Sequence, residues 1–187
     1  GGTGSFTTTA ANDDIDLGTL AVTGAVSVNT NGATGNASVV NATVLDLGAS
    51  SVGGNLSATA TTGNLTDSGT VTVGGTGSFT TTAANDDIDL GTLAVTGAVS
   101  VNTNGATGNA SVVNATVLDL GASSVGGNLS ATATTGNLTD SGTVTVGGTG
   151  SFTTTAANDD ILLNQLAVTG TITLSTNGAT GNATVVN

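Results

Sequence analysis

No lysine, arginine or histidine occurs in this chain of 187 residues, and no glutamate, cysteine, proline, methionine, tryptophan or tyrosine either. Without cations the chain has nothing to neutralise phosphate, which argues against nucleic-acid binding. An anionic membrane surface would repel it for the same reason. No run approaches the length of a membrane-spanning helix, so membrane insertion is not expected, and no signal peptide is visible. Without cysteine no disulfide holds the fold together. Serine–histidine, cysteine–histidine and lysine nucleophile systems are all ruled out by composition. The missing residues include the cleavage points of trypsin-like proteases and the most easily oxidised side chains, which suits an extracellular life. With no initiator methionine and an incomplete last repeat, the sequence reads as an excerpt of a longer chain.

Charged residues make up 6% of the chain, against about 25% in ordinary domains, and all 12 are aspartates, for a net charge of −12. Such low charge could mark disorder, but 37% of the residues are apolar and regularly placed, which disorder does not require.

The regularity comes from repetition. Residues 1–73 and 74–146 are identical, and residues 147–187 repeat the first 41 positions with nine substitutions. Three segments align inside each unit: GTLAVTGAVSVNT (Gly18–Thr30), GASSVGGNLSATA (Gly48–Ala60) and GTVTVGGTGSFTT (Gly69–Thr81). Their starts lie 30, 21 and 22 residues apart. Apolar residues alternate with polar ones, the signature of a strand with one face in and one face out. In the first segment Leu20, Val22, Val26 and Val28 share one face. The inward pairs Val26–Val28, Leu56–Ala58 and Gly77–Phe79 keep side-chain volume level from segment to segment, as a close-packed core requires.

Short strands in a repeating unit, polar turns and no helical periodicity predict an all-β parallel β-solenoid with about three coils per 73-residue repeat. Residues 1–187 form one continuous solenoid on this reading: repeat 1 over 1–73, repeat 2 over 74–146, partial repeat 3 over 147–187. About eight coils at roughly 4.8 Å each give a rod of about 35–40 Å. The stretch Asn31–Gly48 reads as an excursion from the longest coil, with a short strand of its own. An antiparallel sandwich is the rival architecture, and the exact identity of the tandem units argues against it.

Val52–Ile88, VGGNLSATATTGNLTDSGTVTVGGTGSFTTTAANDDI, resembles the repeats of filamentous haemagglutinin-type exoproteins, the large bacterial surface adhesins of two-partner secretion. The resemblance is one of repeat style and covers essentially the whole chain. It implies a right-handed parallel β-helix, export to the bacterial cell surface, and adhesive or fibrous work.

Aspartate is the one residue type that could carry chemistry. Asp16, Asp46, Asp67, Asp89, Asp119 and Asp140 each precede a glycine by two positions. An Asx-type turn is the expectation there, with the carboxylate accepting the backbone N–H two residues on and the glycine taking a strained angle. A second set is Asp13–Asp14, Asp86–Asp87 and Asp159–Asp160, each pair following an asparagine. These six are candidate Ca²⁺ ligands, since calcium favours Asp, Asn and carbonyl oxygens and would relieve their repulsion. Against calcium, GGTGSFTTT lacks the aspartate of the calcium-binding nonapeptide and no bidentate glutamate exists. No other cofactor is suggested. Paired aspartates can hydrolyse glycosides, but a site repeated in identical units and without cations for an acidic sugar is not expected to be an enzyme.

Other features are weaker. The threonine columns are too broken for ice binding, GGTG lacks the lysine of a phosphate loop, and Asn-x-Ser/Thr recurs at Asn36, Asn41, Asn55 and Asn64 of each full unit, where chance would place about two. Glycosylation suits a surface protein, but chance is the simpler reading. The sequence therefore points to an extracellular fibre or stalk on a bacterial surface, self-associating into filaments through unpaired strand edges, with no receptor indicated. The alternatives are a calcium-dependent adhesin module and, more remotely, a polysaccharide-active β-helix enzyme.

Overall fold

Strands form where the apolar/polar alternation is unbroken and stop where Gly, Asn or paired Asp interrupt it. The computed structural model describes residues 2–187, and among them are 23 short strands and no helix. No helix is therefore long and apolar enough to cross a membrane. All strand pairs are parallel and lie in two sheets of 11 and 12 strands. In the 11-stranded sheet the ladder climbs from Gly4 to Val26 to Leu47, then from Leu45 through Leu65, Ile88, Ala110, Leu129 and Gly150 to Ile172. Each step is about 21 residues, and the column has nine levels. At roughly 4.8 Å per level the solenoid is about 38 Å tall.

The core lies between the two sheets. Val26, Val28, Leu45, Leu47, Leu56 and Val101 are among its buried members. A fully buried side chain of this kind contributes about 1.5–3 kcal/mol. The volume compensation read from the sequence is present: Leu56 stacks on Gly77 and Ala58 on Phe79. The ring of Phe79 folds back over its own Gly77, so that a Cβ there would meet Cε2 at 2.8 Å. Phe79 and Phe152 are completely buried.

About three coils per repeat is the observed organisation, and each repeat also carries a further half turn. The strand Gly4–Ala11 belongs to the 11-stranded sheet, its identical copy Gly77–Ala84 to the 12-stranded sheet, and Gly150–Ala157 to the first sheet again. At about 21 residues per turn, 73 residues make about three and a half turns. Identical sequence therefore emerges on opposite faces in successive repeats.

The half turn resides in the stretch read as an excursion, and that reading is corrected. Ala37–Asn41 is a full rung, paired with Ile15–Leu20 in the preceding turn and with Leu56–Ala60 in the next. Leu45–Leu47 is likewise paired and buried at both leucines. The 30-residue spacing is one and a half coils, because Ala37, Val39, Leu45 and Leu47 bring enough apolar surface to continue the core.

Candidate functional site

The AANDD corner begins with a left-handed asparagine. Asn12, Asn85 and Asn158 have φ of 66°, 67° and 69°, a conformation asparagine tolerates better than most residues. A glycine would take this angle, but it could not do the rest. Asn12 Oδ1 accepts the Thr34 N–H of the next turn, and Asn85 and Asn158 do the same with Thr107 and Thr180.

The two aspartates that follow reach in opposite directions. The first reaches back: Asp86 Oδ2 accepts the Gly63 N–H at 2.5 Å and Asp159 Oδ2 the Gly136 N–H at 2.6 Å. Asp13, the first copy, makes no such bond. The second reaches forward: Asp14 Oδ1 accepts from Asn36 N at 2.7 Å and Nδ2 at 3.1 Å. Asp87 binds Asn109, and Asp160 binds Asn182, in the same way. These six residues are the candidate calcium ligands. The structure turns Asp86–Asp87 and Asp159–Asp160 onto the turns on either side and Asp14 onto the next turn, and among the described residues no group of three or more carboxylates comes together.

The asparagines continue the ladder. Asn36 Oδ1 accepts Asn55 N–H at 2.9 Å, and Asn55 Oδ1 accepts Thr76 N–H at 2.8 Å and Thr76 Oγ1–H at 3.1 Å. Asp87, Asn109, Asn128 and Thr149 repeat the chain of bonds. Each ladder borders an open groove. One, of about 560 Å³, is lined by Asp87, Asp89, Asn109, Ser111, Asn128 and Ser130. Its equivalent, of about 460 Å³, has Asp14, Asp16, Asn36, Ser38, Asn55 and Ser57. The half-turn phase puts the first on the 11-stranded sheet and the second on the 12-stranded sheet.

The Asp-x-Gly segments are not Asx turns. Asp67 Oδ1 accepts the N–H of Gly91, and Oδ2 that of Thr92, at 2.8 and 2.9 Å, a full turn later rather than at its own Gly69. Asp140 makes the same pair of bonds to Asn164 and Gln165. That explains how the third repeat tolerates Asn164 in place of glycine: only its backbone is read. Asp16 and Asp89 stand exposed, and their carboxylates make no hydrogen bond among the described residues. Asp46 Oδ2 accepts from Ser68 Oγ at 2.8 Å, whereas its buried Oδ1 has no partner. Nor do Gly48 and Gly69 have positive φ. Close approach is the reason for glycine at Gly69, where a Cβ would overlap the backbone of Ala49 in the neighbouring turn.

A residue that the sequence reading marks only as part of an Asn-x-Thr tripeptide holds buried polar contacts between turns. Asn41 and Asn114 are completely buried. Each amide pairs with both backbone groups of one residue in the preceding turn, Val22 or Val95. The only sequence signal was an asparagine where the strand alternation calls for an apolar residue.

The aspartates divide into clamps and free carboxylates, and substitution separates them. Asp67→Ala is expected to weaken its corner by about 1–2 kcal/mol, seen as roughly 5- to 30-fold faster hydrogen exchange at Gly91 and Thr92. Asp89→Ala should stay within about 0.5 kcal/mol. Equal effects of the two would contradict the assignment.

The family model for repeats of unknown function (DUF5649) matches residues 34–90 and 107–175, about two thirds of the chain. No curated protein and no solved structure matches it.

Proposed function

Given that the chain belongs to the DUF5649 repeats, we propose that it is a structural stalk or fibre of a bacterial surface protein of the filamentous haemagglutinin type, extracellular and adhesive through what it carries. The observation behind this reading is the turn-to-turn ladder. Backbone rungs on two sheets are reinforced at the corners by carboxylates and amides that bind the adjacent turn. The bonded side chains stiffen the rod, and the exposed Asn, Thr and Asp residues keep it hydrated. The grooves are open and recur identically, which fits a scaffold better than an enzyme with one site. Self-association into filaments would extend the same ladder head to tail, a heterologous contact that does not close on itself.

Negative-stain electron microscopy of the purified chain, with and without a calcium chelator, tests the proposal. Rods joined end to end are expected in both conditions, since one solenoid of about 38 Å is itself a compact particle. Collapse on chelation would move the protein to the calcium-dependent adhesin reading and make Asp13, Asp14 and their copies a metal site. Compact particles in both conditions would overturn the stalk.

A further inference from the structure

The recurring Asn-x-Ser/Thr tripeptides are not equivalent in the fold. The sugar of an N-glycan is carried on Nδ2, so a modified asparagine must have that nitrogen accessible and must do without one of its hydrogens. Asn41 and Asn114 fail this condition. They are completely buried, and Asn41 Nδ2 donates to Val22 O at 2.8 Å, Val44 O at 2.6 Å and Thr43 Oγ1 at 3.2 Å, with Asn114 making the matching bonds. Asn36 and Asn109 are half-buried and exposed respectively, and their Nδ2 groups are committed to Asp14 and Asp87.

Asn55, Asn64, Asn128 and Asn137 are different. All four are exposed, and each uses Oδ1 alone: Asn55 and Asn128 accept from Thr76 and Thr149, Asn64 and Asn137 from the N–H groups of Asp87 and Asp160. Their Nδ2 groups make no hydrogen bond among the described residues. At Asn55 and Asn128 the hydroxyl two positions on, Ser57 or Ser130, is also exposed, whereas Thr66 and Thr139 after Asn64 and Asn137 are half-buried. Leu56 and Leu129 are buried, so the strand alternation turns Asn55 and Ser57, and Asn128 and Ser130, to the same outer side, where both members of each pair line a groove.

The geometry points to Asn55, Asn64, Asn128 and Asn137 as N-glycosylation sites, with Asn41 and Asn114 closed. This goes beyond the stalk reading and does not depend on it. In the transfer, Nδ2 bonds to the anomeric carbon of a sugar carried on a phosphate, as a nucleotide- or lipid-linked donor. The bond from the anomeric carbon to the phosphate oxygen breaks with its electron pair, and a base of the glycosyltransferase takes the Nδ2 proton. Oδ1 keeps its ladder bond throughout. Because successive repeats face opposite ways, Asn55 and Asn128 would carry their sugars on opposite sides of the rod. Both sides would thereby gain the bulk and solubility that glycans confer.

The test is production of the whole chain with a glycosyltransferase that transfers a single hexose from a nucleotide donor to Asn-x-Ser/Thr. The folded, soluble product is then site-mapped by mass spectrometry. The urea-unfolded chain treated with the same enzyme establishes that all the tripeptides are competent. Hexose is expected on the four named asparagines of the folded product, with Asn36 and Asn109 lower and Asn41 and Asn114 empty. Ser130→Ala, which leaves the bond from Asn128 to Thr149 intact, should remove one hexose from the intact mass. Hexose on Asn41 or Asn114 of folded rods would overturn the assignment. So would even occupancy at all the tripeptides, or none at the four while the unfolded chain is modified.

Discussion

Asn114→Asp is expected to open the solenoid at its middle. The wild-type side chain lies in the core with no exposed surface and takes the place of a missing peptide rung. The ladder shifts register between Leu90 and Leu93 and ends on the pairing of Leu93 with Asn114, which leaves Val95 without a backbone neighbour in the next turn. The amide fills the gap: Oδ1 accepts Val95 N–H at 2.8 Å, and Nδ2 donates to Val95 O at 2.9 Å and Val117 O at 2.7 Å. Asn114→Ala leaves Val95 N–H and Val117 O without this partner, at about 1–3 kcal/mol each, for a loss of roughly 2–6 kcal/mol, while Val95 O keeps the Thr116 hydroxyl. Asn114→Asp keeps the shape but turns a carboxylate oxygen onto two carbonyl oxygens, so it should cost more than alanine. Repeat arrays need not unfold in one step. The informative measurement is therefore native-state hydrogen exchange, with urea unfolding beside it. Protection should fall first at Val95 and across Leu118–Leu120. A variant with wild-type protection and midpoint would refute the role.

The second large effect is expected at Gly126. Its φ is not positive, so an ordinary side chain meets no intrinsic backbone penalty. The obstacle is the neighbouring turn, since an added Cβ would overlap the carbonyl oxygen of Gly105. Gly147 stands over Gly126 in the same way. Turns fixed at roughly 4.8 Å cannot separate at one corner without breaking rungs on either side. Gly126→Ala should therefore cost at least about 3 kcal/mol, the upper part of the usual overpacking range. Gly91→Ala is the control. There the nearest atom to a Cβ is Asp67 Oδ1 at 3.9 Å, and the bond from Gly91 N–H to Asp67 survives the change. It should be neutral, or stabilising by about 0.4–1 kcal/mol through the unfolded chain. Thermal melts of the two variants separate close approach from backbone angle as the reason for glycine. A mild Gly126→Ala with a damaging Gly91→Ala would reverse that account.

Much of the architecture is written locally. Alternation along Val26–Asn31 or Leu56–Ala60 fixes which side chains enter the core, because successive residues of a strand point to opposite faces. The match of Leu56 with Gly77 and Ala58 with Phe79 could be read in advance, since a stacked core must hold its volume level. The candidate site was only partly legible. The Asp-x-Gly column was visible, but not that Asp67 binds Gly91 and Thr92, and Asn41 and Asn114 looked like members of a surface tripeptide.

The sequence by itself determined the class of fold, the repeat and the inward face of each strand, because those depend on residues one or two positions apart. Only the tertiary structure decided the half turn that sends successive repeats to opposite faces. It also decided the partners of the aspartates and the burial of Asn114. These depend on which residues meet after a full circuit of the coil, between 19 and 25 positions later in the bonds described. That number is the sum of every strand and corner along the way, so a change in any one of them moves the partner.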